Sequence, residues 1–126
     1  MGEPGNAVGA VPTAAQALIR LTTESWRFSR LFVRLLQRID VAEQQRYTNQ
    51  FRYYLSTIQE NLATAGFRLV DLEGQPYDPG MAVSALNIGD FGPDDALVVE
   101  QMLEPVIMGT DGLVKSGTVI LGKAPT

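Results

Sequence analysis

Gly66-Phe-Arg-Leu-Val-Asp-Leu-Glu-Gly-Gln-Pro-Tyr-Asp-Pro-Gly-Met-Ala-Val83 is the stretch at which the chain changes its pattern. Before it, apolar residues recur at helical spacing, and after it they form short blocks separated by Gly, Pro and Asp. Its centre sets two prolines with fixed φ around an aspartate that can hydrogen-bond its own backbone. We therefore predict a rigid structural corner made by Gly74, Pro76, Asp78 and Pro79.

Two amphipathic helices are predicted before this corner. Apolar residues from Ala14 to Ile39 follow a heptad-like seam, Asp40 and Glu43 have the spacing of a capping box, and Gly66 is expected to end the second helix. Because two such helices cannot fully cover each other's apolar stripes, we predict a homodimer whose hairpins form a four-helix bundle. The residues predicted to form the dimer contact are Leu18, Leu21, Phe28, Phe32, Leu35, Phe51, Tyr54 and Ile58.

Short strands are predicted after the corner, with Asp111-Gly112 suited to a tight hairpin between two of them. The predicted strand segments are 67–72, 81–88, 96–103, 106–108, 113–114 and 118–121. The fold class is therefore predicted to be α+β, with a helical hairpin followed by a small all-β domain. The predicted divisions are a flexible tail over 1–12, a helical dimerisation region over 13–65 and the β domain over 66–126.

The composition argues against an enzyme. Among the 126 residues there is no Cys and no His, so the chain has no thiol nucleophile, no zinc–cysteine site and no imidazole base. We expect no catalytic residue, no metal and no cofactor. The apolar runs are far shorter than the roughly 20 residues of a membrane helix, and the first residues lack the pattern of a secretory signal. These features predict a cytoplasmic protein without a membrane span.

The charge is unevenly distributed. Residues 1–65 hold seven Arg against five acids, whereas residues 66–126 hold three basic residues against nine acids. The acidic second half disfavours nucleic acid as a partner. The first helix nevertheless carries a basic face with Arg20, Arg27, Arg30 and Arg34, for which a solvated surface is the favoured interpretation and a contact with nucleic acid or anionic lipid is the alternative.

Two other groups of side chains are interpreted as structural. Trp26 is expected in the bundle core or in helix packing rather than in a ligand site. The acids of the β region, including Asp90, Asp94 and Asp95, are expected to be turn residues, since no alternating cation-binding loop surrounds them.

The second half of the chain resembles the GrpE family, the nucleotide exchange factors of DnaK-type chaperones. The resemblance begins with a helix that ends in Ala-Gly-Phe, and continues through Arg68–Leu72, Gly74–Pro79, Ala96–Met102 and Thr118–Lys123. It implies a homodimer with a helical bundle and a compact β domain on each subunit. In the family, one β domain wedges into the nucleotide-binding domain of the chaperone and releases ADP, with no bond made or broken.

Three residues match contact positions of that family. Met102 and Leu121 match apolar positions that contact the chaperone, and Lys115 matches a nearby basic position. For Met102 and Leu121 the alternative interpretation is ordinary sheet core.

Departures from the family's pattern support a second hypothesis. Gly112 stands where the family is basic, and Glu104-Pro105-Val106 stands in place of Lys-Gly-Tyr. The alternative is thus a dimeric scaffold of the same fold without exchange activity. A binder of nucleic acid or anionic lipid through the arginine face is the third possibility.

Overall fold

Two helices precede two small three-stranded sheets in the computed structural model, which describes residues 13–125 of the chain. The predicted α+β class is confirmed, and each predicted strand segment overlaps an observed strand. The predicted tail over residues 1–12 lies outside the described residues. The elements are α1 (Thr13–Leu36), α2 (Val41–Thr64), β1 (Arg68–Val70), β2 (Val83–Ala85), β3 (Leu97–Glu104), β4 (Val106–Gly109), β5 (Gly112–Lys115) and β6 (Gly117–Lys123).

The break between the helices falls at Asp40, as predicted. The interaction that starts α2 there differs from the predicted one. Asp40 has extended backbone angles, and its carbonyl oxygen accepts the N–H groups of Glu43 and Gln44. Its carboxylate makes no capping hydrogen bond, so the predicted capping box is wrong. The change of backbone direction at Asp40 is sufficient to start α2.

The end of α2 has the hydrogen bonds of a Schellman motif. Gly66 adopts a φ of 86° in the left-handed region, its N–H donates to Ala63, and the N–H of Phe67 donates to Leu62. These two bonds satisfy carbonyls that the last helical turn would otherwise leave without donors. The helix therefore ends at the glycine that the sequence indicated.

The strands form two sheets, and together with their connections they are called here the β unit (residues 66–125). One sheet has the order β1-β4-β5 and is antiparallel. The other has the order β2-β6-β3, with β2 parallel and β3 antiparallel to β6. A short 3-10 turn at Ile88–Asp90 follows β2. The tight hairpin expected near Asp111-Gly112 joins β4 to β5.

Irregular pairing in β3 decides what enters the core. The register of β3 on β6 shifts between Val99 and Gln101 and again between Met102 and Glu104. An extra residue in a strand reverses the side-chain alternation beyond it, so Val99 and Met102 are both buried although three positions separate them. The resulting core consists of Trp26, Val99, Met102, Val106, Val119 and Leu121.

The corner covers the outer edge of β3. The N–H of Gly74 donates to Val99 at 2.8 Å, and the N–H of Val99 donates back to Gln75 at 2.9 Å. Gly74 has a φ of 85°, and Asp78 accepts the N–H of Gly80 at 3.0 Å. These bonds pair backbone groups that an open strand edge would expose. The twin-proline segment therefore acts as a short additional partner of the sheet.

Candidate interaction surfaces

Helix α1 has three faces, and two of them are occupied within the chain. One face packs on the β unit through Trp26, whose exposed fraction is 5%. A second face meets α2, where the rings of Phe32 and Phe51 lie 5.7 Å apart. The third face is open and presents large apolar side chains at heptad spacing. We call it the outer seam, and its residues are Leu21, Phe28, Leu31 and Leu35.

The outer seam is strongly exposed. Leu21 and Phe28 retain 66% and 62% of their surface in contact with solvent. Beside Phe28 an apolar groove of about 210 Å³ runs between the helices and reaches Phe51 and Tyr54. Burying a Leu or Phe side chain contributes roughly 1.5–3 kcal/mol, so leaving several of them in water is costly. The groove and the seam form one apolar surface on the hairpin.

The predicted dimer residues divide into two groups. Leu18, Phe32, Phe51 and Ile58 are half-buried. Exposed members of the predicted set are Leu21, Phe28, Leu35 and Tyr54. The described chain alone therefore covers part of the predicted set and leaves the other part open.

The indole of Trp26 attaches α1 to the β unit. Its Nε1–H donates to the carbonyl oxygen of Met102 at 2.7 Å, and the guanidinium of Arg30 lies 4.4 Å from its ring centre. Arg30 in turn pairs with Glu73 at 3.3 Å, and the other oxygen of Glu73 accepts the N–H of Met102 at 2.9 Å. One buried ring and two charged groups thus fix the helix against β3. Trp26 belongs to the core of the β unit, whereas the sequence favoured the bundle core or helix packing.

Glu104 makes a second attachment at the end of β3. Its carboxylate accepts hydrogen bonds from Arg27 of α1, from Lys115 at 3.1 Å and from Thr118 at 3.1 Å. Burial by itself would raise the pKa of this carboxyl, but the bonds from Lys115, Arg27 and Thr118 outweigh burial and hold the pKa below its ordinary value. Glu104 is therefore an ionised junction between α1 and two strands.

The structure corrects two of the three residues expected to contact a chaperone. Met102 is fully buried and Leu121 is 2% exposed, so both side chains form the core and neither is presented to a partner. The alternative interpretation, sheet core, is what the fold shows. The bulges in β3 and the central position of β6 explain this burial. Lys115 remains partly exposed, with its ammonium group held by Glu104.

Other apolar side chains of the β unit are open to solvent. Leu113 and Val114 lie on β5, an edge strand, while Leu86 and Ile88 follow β2. Sequence reasoning missed all four as surface residues, since it assigned each of them to a strand. The exposure of Leu113 and Val114 could have been predicted from their position immediately after the predicted hairpin turn.

The arginines of the first helix do not act alike. Arg27 and Arg30 pair with Glu104 and Glu73 of the β unit. Arg20 and Arg34 are exposed, and neither makes an ion pair within residues 13–125. Half of the predicted basic face therefore holds the helix to the sheets.

The acidic turns use their side chains locally. Asp78 accepts the N–H of Gly80, and Asp95 accepts the N–H of Gly92 at 2.8 Å. Across the described part of the chain, no three His, Cys, Asp or Glu residues form a group suited to a metal ion. Within residues 13–125, neither helix has a run long and apolar enough to cross a bilayer.

No family model, curated protein or solved structure matches the chain.

Proposed function

We propose that the protein is a homodimeric, non-enzymatic co-chaperone of the GrpE type. Its β unit binds the nucleotide-binding domain of a DnaK-type chaperone and promotes the release of ADP. The observation that carries this proposal is the attachment of the β unit to α1 through the buried ring of Trp26. The resemblance of residues 66–123 to that family gives the proposal its partner.

Rigid attachment matters because nucleotide exchange of this kind depends on differential binding. A protein that binds the open chaperone better than the closed, ADP-bound form shifts the population toward the open form. A β unit that swung freely on its helices would adapt to both forms and would discriminate poorly between them. Trp26, Glu73 and Glu104 hold its orientation in this chain.

The dimer is proposed from the outer seam. Leu21, Phe28, Leu31 and Leu35 recur at the three- and four-residue spacings by which helices pair side by side. The adjoining groove offers Tyr54 and Phe51 to the same partner surface. A second copy presents the same apolar seam, so a symmetric contact removes both seams from water at once.

The contact with the chaperone is proposed at the tip of the β4–β5 hairpin. Leu113 and Val114 are exposed there, and Lys115 supplies a neighbouring positive charge. This assignment replaces the buried side chains of Met102 and Leu121. A solvent-exposed edge strand with two apolar residues is suited to packing against another protein.

Release of a fluorescent ADP from purified DnaK-type chaperones tests the proposal. We expect the unaltered protein to accelerate release, and Leu113→Asp to reduce that acceleration by at least tenfold. Ser56→Asp, a change at an exposed position of α2, is the matched control and should leave the acceleration unchanged. If the unaltered protein neither accelerates release nor forms a complex with any such chaperone, the proposal is wrong.

A scaffold without exchange activity is the second candidate, and one observation favours it. The residues that match the family's contact positions are not presented as a set, because Met102 and Leu121 are buried and Lys115 is engaged by Glu104. In that case a stable complex would form with another protein while ADP release stays at its basal rate. Measuring complex formation and release on the same samples separates the two functions.

The third candidate, binding of nucleic acid or anionic lipid by the arginine face, has less support. Arg27 and Arg30 already neutralise carboxylates of the β unit. Such binding would fall steeply with added salt and with Arg20→Gln, and its absence at low salt would exclude it.

A further inference from the structure

A cleft lies between α1 and the β2-β6-β3 sheet. It has a volume of about 360 Å³. Three arginines of α1 line one wall, and side chains of the β unit line the other. The residues of this arginine cleft are Arg27, Arg30, Arg34, Leu86, Leu103, Glu104 and Thr118. A second, more enclosed cleft of about 170 Å³ shares Arg30, Arg34 and Leu103 with it and also contains Glu73 and Glu100.

The cleft contains one guanidinium group that makes no ion pair within residues 13–125. The lining contains three guanidinium groups and one carboxylate, whereas residues 66–126 hold nine acids against three basic residues. Arg27 and Arg30 are each bound to a carboxylate of the chain. Arg34 is exposed and makes no ion pair with any residue in the described range. A guanidinium in this state can bind an incoming carboxylate through two parallel hydrogen bonds.

The arginine cleft also contains an apolar side chain that is open to solvent. Leu86 retains 63% of its surface exposed, although it directly follows a strand, and Leu103 beside it is half-buried. An extended segment that placed one apolar side chain on Leu86 would bury surface that the chain itself leaves in water. The site therefore combines a cation with an adjacent apolar surface.

These features favour an acidic peptide over a phosphate polymer or a membrane. Arg27 and Arg30 are already paired, so the cleft offers one unpaired guanidinium, whereas binding of a phosphate polymer needs several clustered cations. A flat bilayer cannot follow a concave surface between a helix and a sheet. A peptide segment can enter the cleft and pair its carboxylates individually.

We propose that the arginine cleft binds an acidic segment of a partner protein. One carboxylate of the segment pairs with Arg34, and a neighbouring apolar side chain packs on Leu86. The proposal goes beyond nucleotide exchange and does not depend on it, because the exchange contact is assigned to Leu113 and Val114 on the β4–β5 hairpin.

Fluorescence polarisation with a labelled acidic peptide tests this site. The probe is a ten-residue peptide of Gly and Ser with one central Glu-Leu pair, and its controls carry Gly for the Leu or Gln for the Glu. We expect Arg34→Gln to weaken binding by about tenfold, because the change removes the guanidinium that pairs with the carboxylate. Leu86→Ala should weaken it severalfold, and the exposed Arg38→Gln should leave it unchanged.

Specific outcomes would overturn the proposal. The first is that the acidic peptide does not bind, and the second is that Arg34→Gln leaves its binding unchanged. The third is that single-stranded DNA or phosphatidylserine vesicles bind more strongly than the peptide and depend on Arg34. Arg34 has no partner in the described chain, so the variant should keep its circular dichroism spectrum and solution mass. Arg34→Gln should also leave ADP release unchanged, which separates failure of this site from failure of the proposed exchange activity.

Discussion

The β unit and the helical hairpin differ in how completely each is buried by its own residues. In the β unit, Val99, Ile107 and Val119 are fully excluded from solvent. In α2 only Leu62 is buried to that degree. Sheets of three strands can close a small core around a few side chains, whereas two helices leave an apolar stripe uncovered. The difference is that the described hairpin leaves large apolar side chains in solvent, whereas the β unit covers most of its own.

Trp26 connects the two regions and shows that they are not independent. The ring enters the core of the β unit, although the residue belongs to the middle of α1. A boundary drawn at residue 66 from the sequence therefore passes through one shared core.

Among the substitutions considered, Trp26→Ala should lower the free energy of unfolding most. Removing the ring leaves a cavity in the shared core, which should lower the free energy of unfolding by about 3–5 kcal/mol. Chemical denaturation followed by circular dichroism measures it. Trp26→Phe, which keeps an aromatic ring but removes the hydrogen bond to Met102, should cost less. A loss below 1 kcal/mol for the alanine variant would show that the two regions are only loosely joined.

Gly117→Ala tests the packing of the β unit alone. A Cβ at this position would lie 2.8 Å from the Cε of Met102 and 2.9 Å from the carbonyl oxygen of Glu104. Overpacking of this kind should lower the free energy of unfolding by about 1–3 kcal/mol. Gly89→Ala is the control, because a Cβ there meets nothing within 4 Å. Equal stability of both variants would mean that the core tolerates expansion.

Glu104→Gln tests the charged attachment. The variant should lose about 1–2 kcal/mol at neutral pH through weaker bonds to Arg27 and Lys115. Because the pKa of Glu104 is lowered from 4.5 in the folded chain, its stabilisation is complete above that value and is lost as the pH falls through the folded pKa.

The slope of stability with pH between about pH 5 and pH 3 should therefore be smaller in the variant. Denaturation curves at several pH values measure this slope. Glu100→Gln is the matched control, since Glu100 is exposed and makes no ion pair within the described residues. An unchanged slope in Glu104→Gln would show that the junction contributes nothing to stability.

Phe28→Asp should leave the stability of the single chain nearly unchanged, and it should disrupt the proposed dimer. The position is exposed within one chain, so the helical circular dichroism signal should persist. A charge in the outer seam should halve the solution mass measured by light scattering. Ser56→Asp on α2 is the control and should leave the mass unchanged. A monomeric unaltered protein, or an unchanged mass for Phe28→Asp, would contradict the proposed dimer.

Helical spacing and punctuation residues made much of the fold predictable. The heptad-like pattern, the break at Asp40 and the glycine at position 66 located both helices. Gly, Pro and Asp separated the strand segments, because these residues set local backbone angles whatever their surroundings. The hydrogen bond of Asp78 to its own turn is of the same local kind.

The candidate contacts could not be assigned in this way. Met102 and Leu121 are apolar residues in strands, and a strand pattern does not say which face meets the core once a bulge interrupts it. Trp26 was expected to pack within the helices, yet the partner of its indole hydrogen bond, Met102, lies 76 positions away. Pairing of Arg27 with Glu104 likewise depends on how α1 is placed on β3.

Four properties can be predicted without coordinates: the two helices, the turns, the α+β class and the acidic character of residues 66–126. These properties follow from local backbone preferences and from composition. The folded chain was needed to see that Met102 and Leu121 are core residues, that Trp26 joins α1 to the β unit, and that Arg34 lines a cleft beside Leu86. The physical reason is that burial and charge pairing depend on which distant surfaces meet, and the register of β3 and the placement of α1 set those meetings.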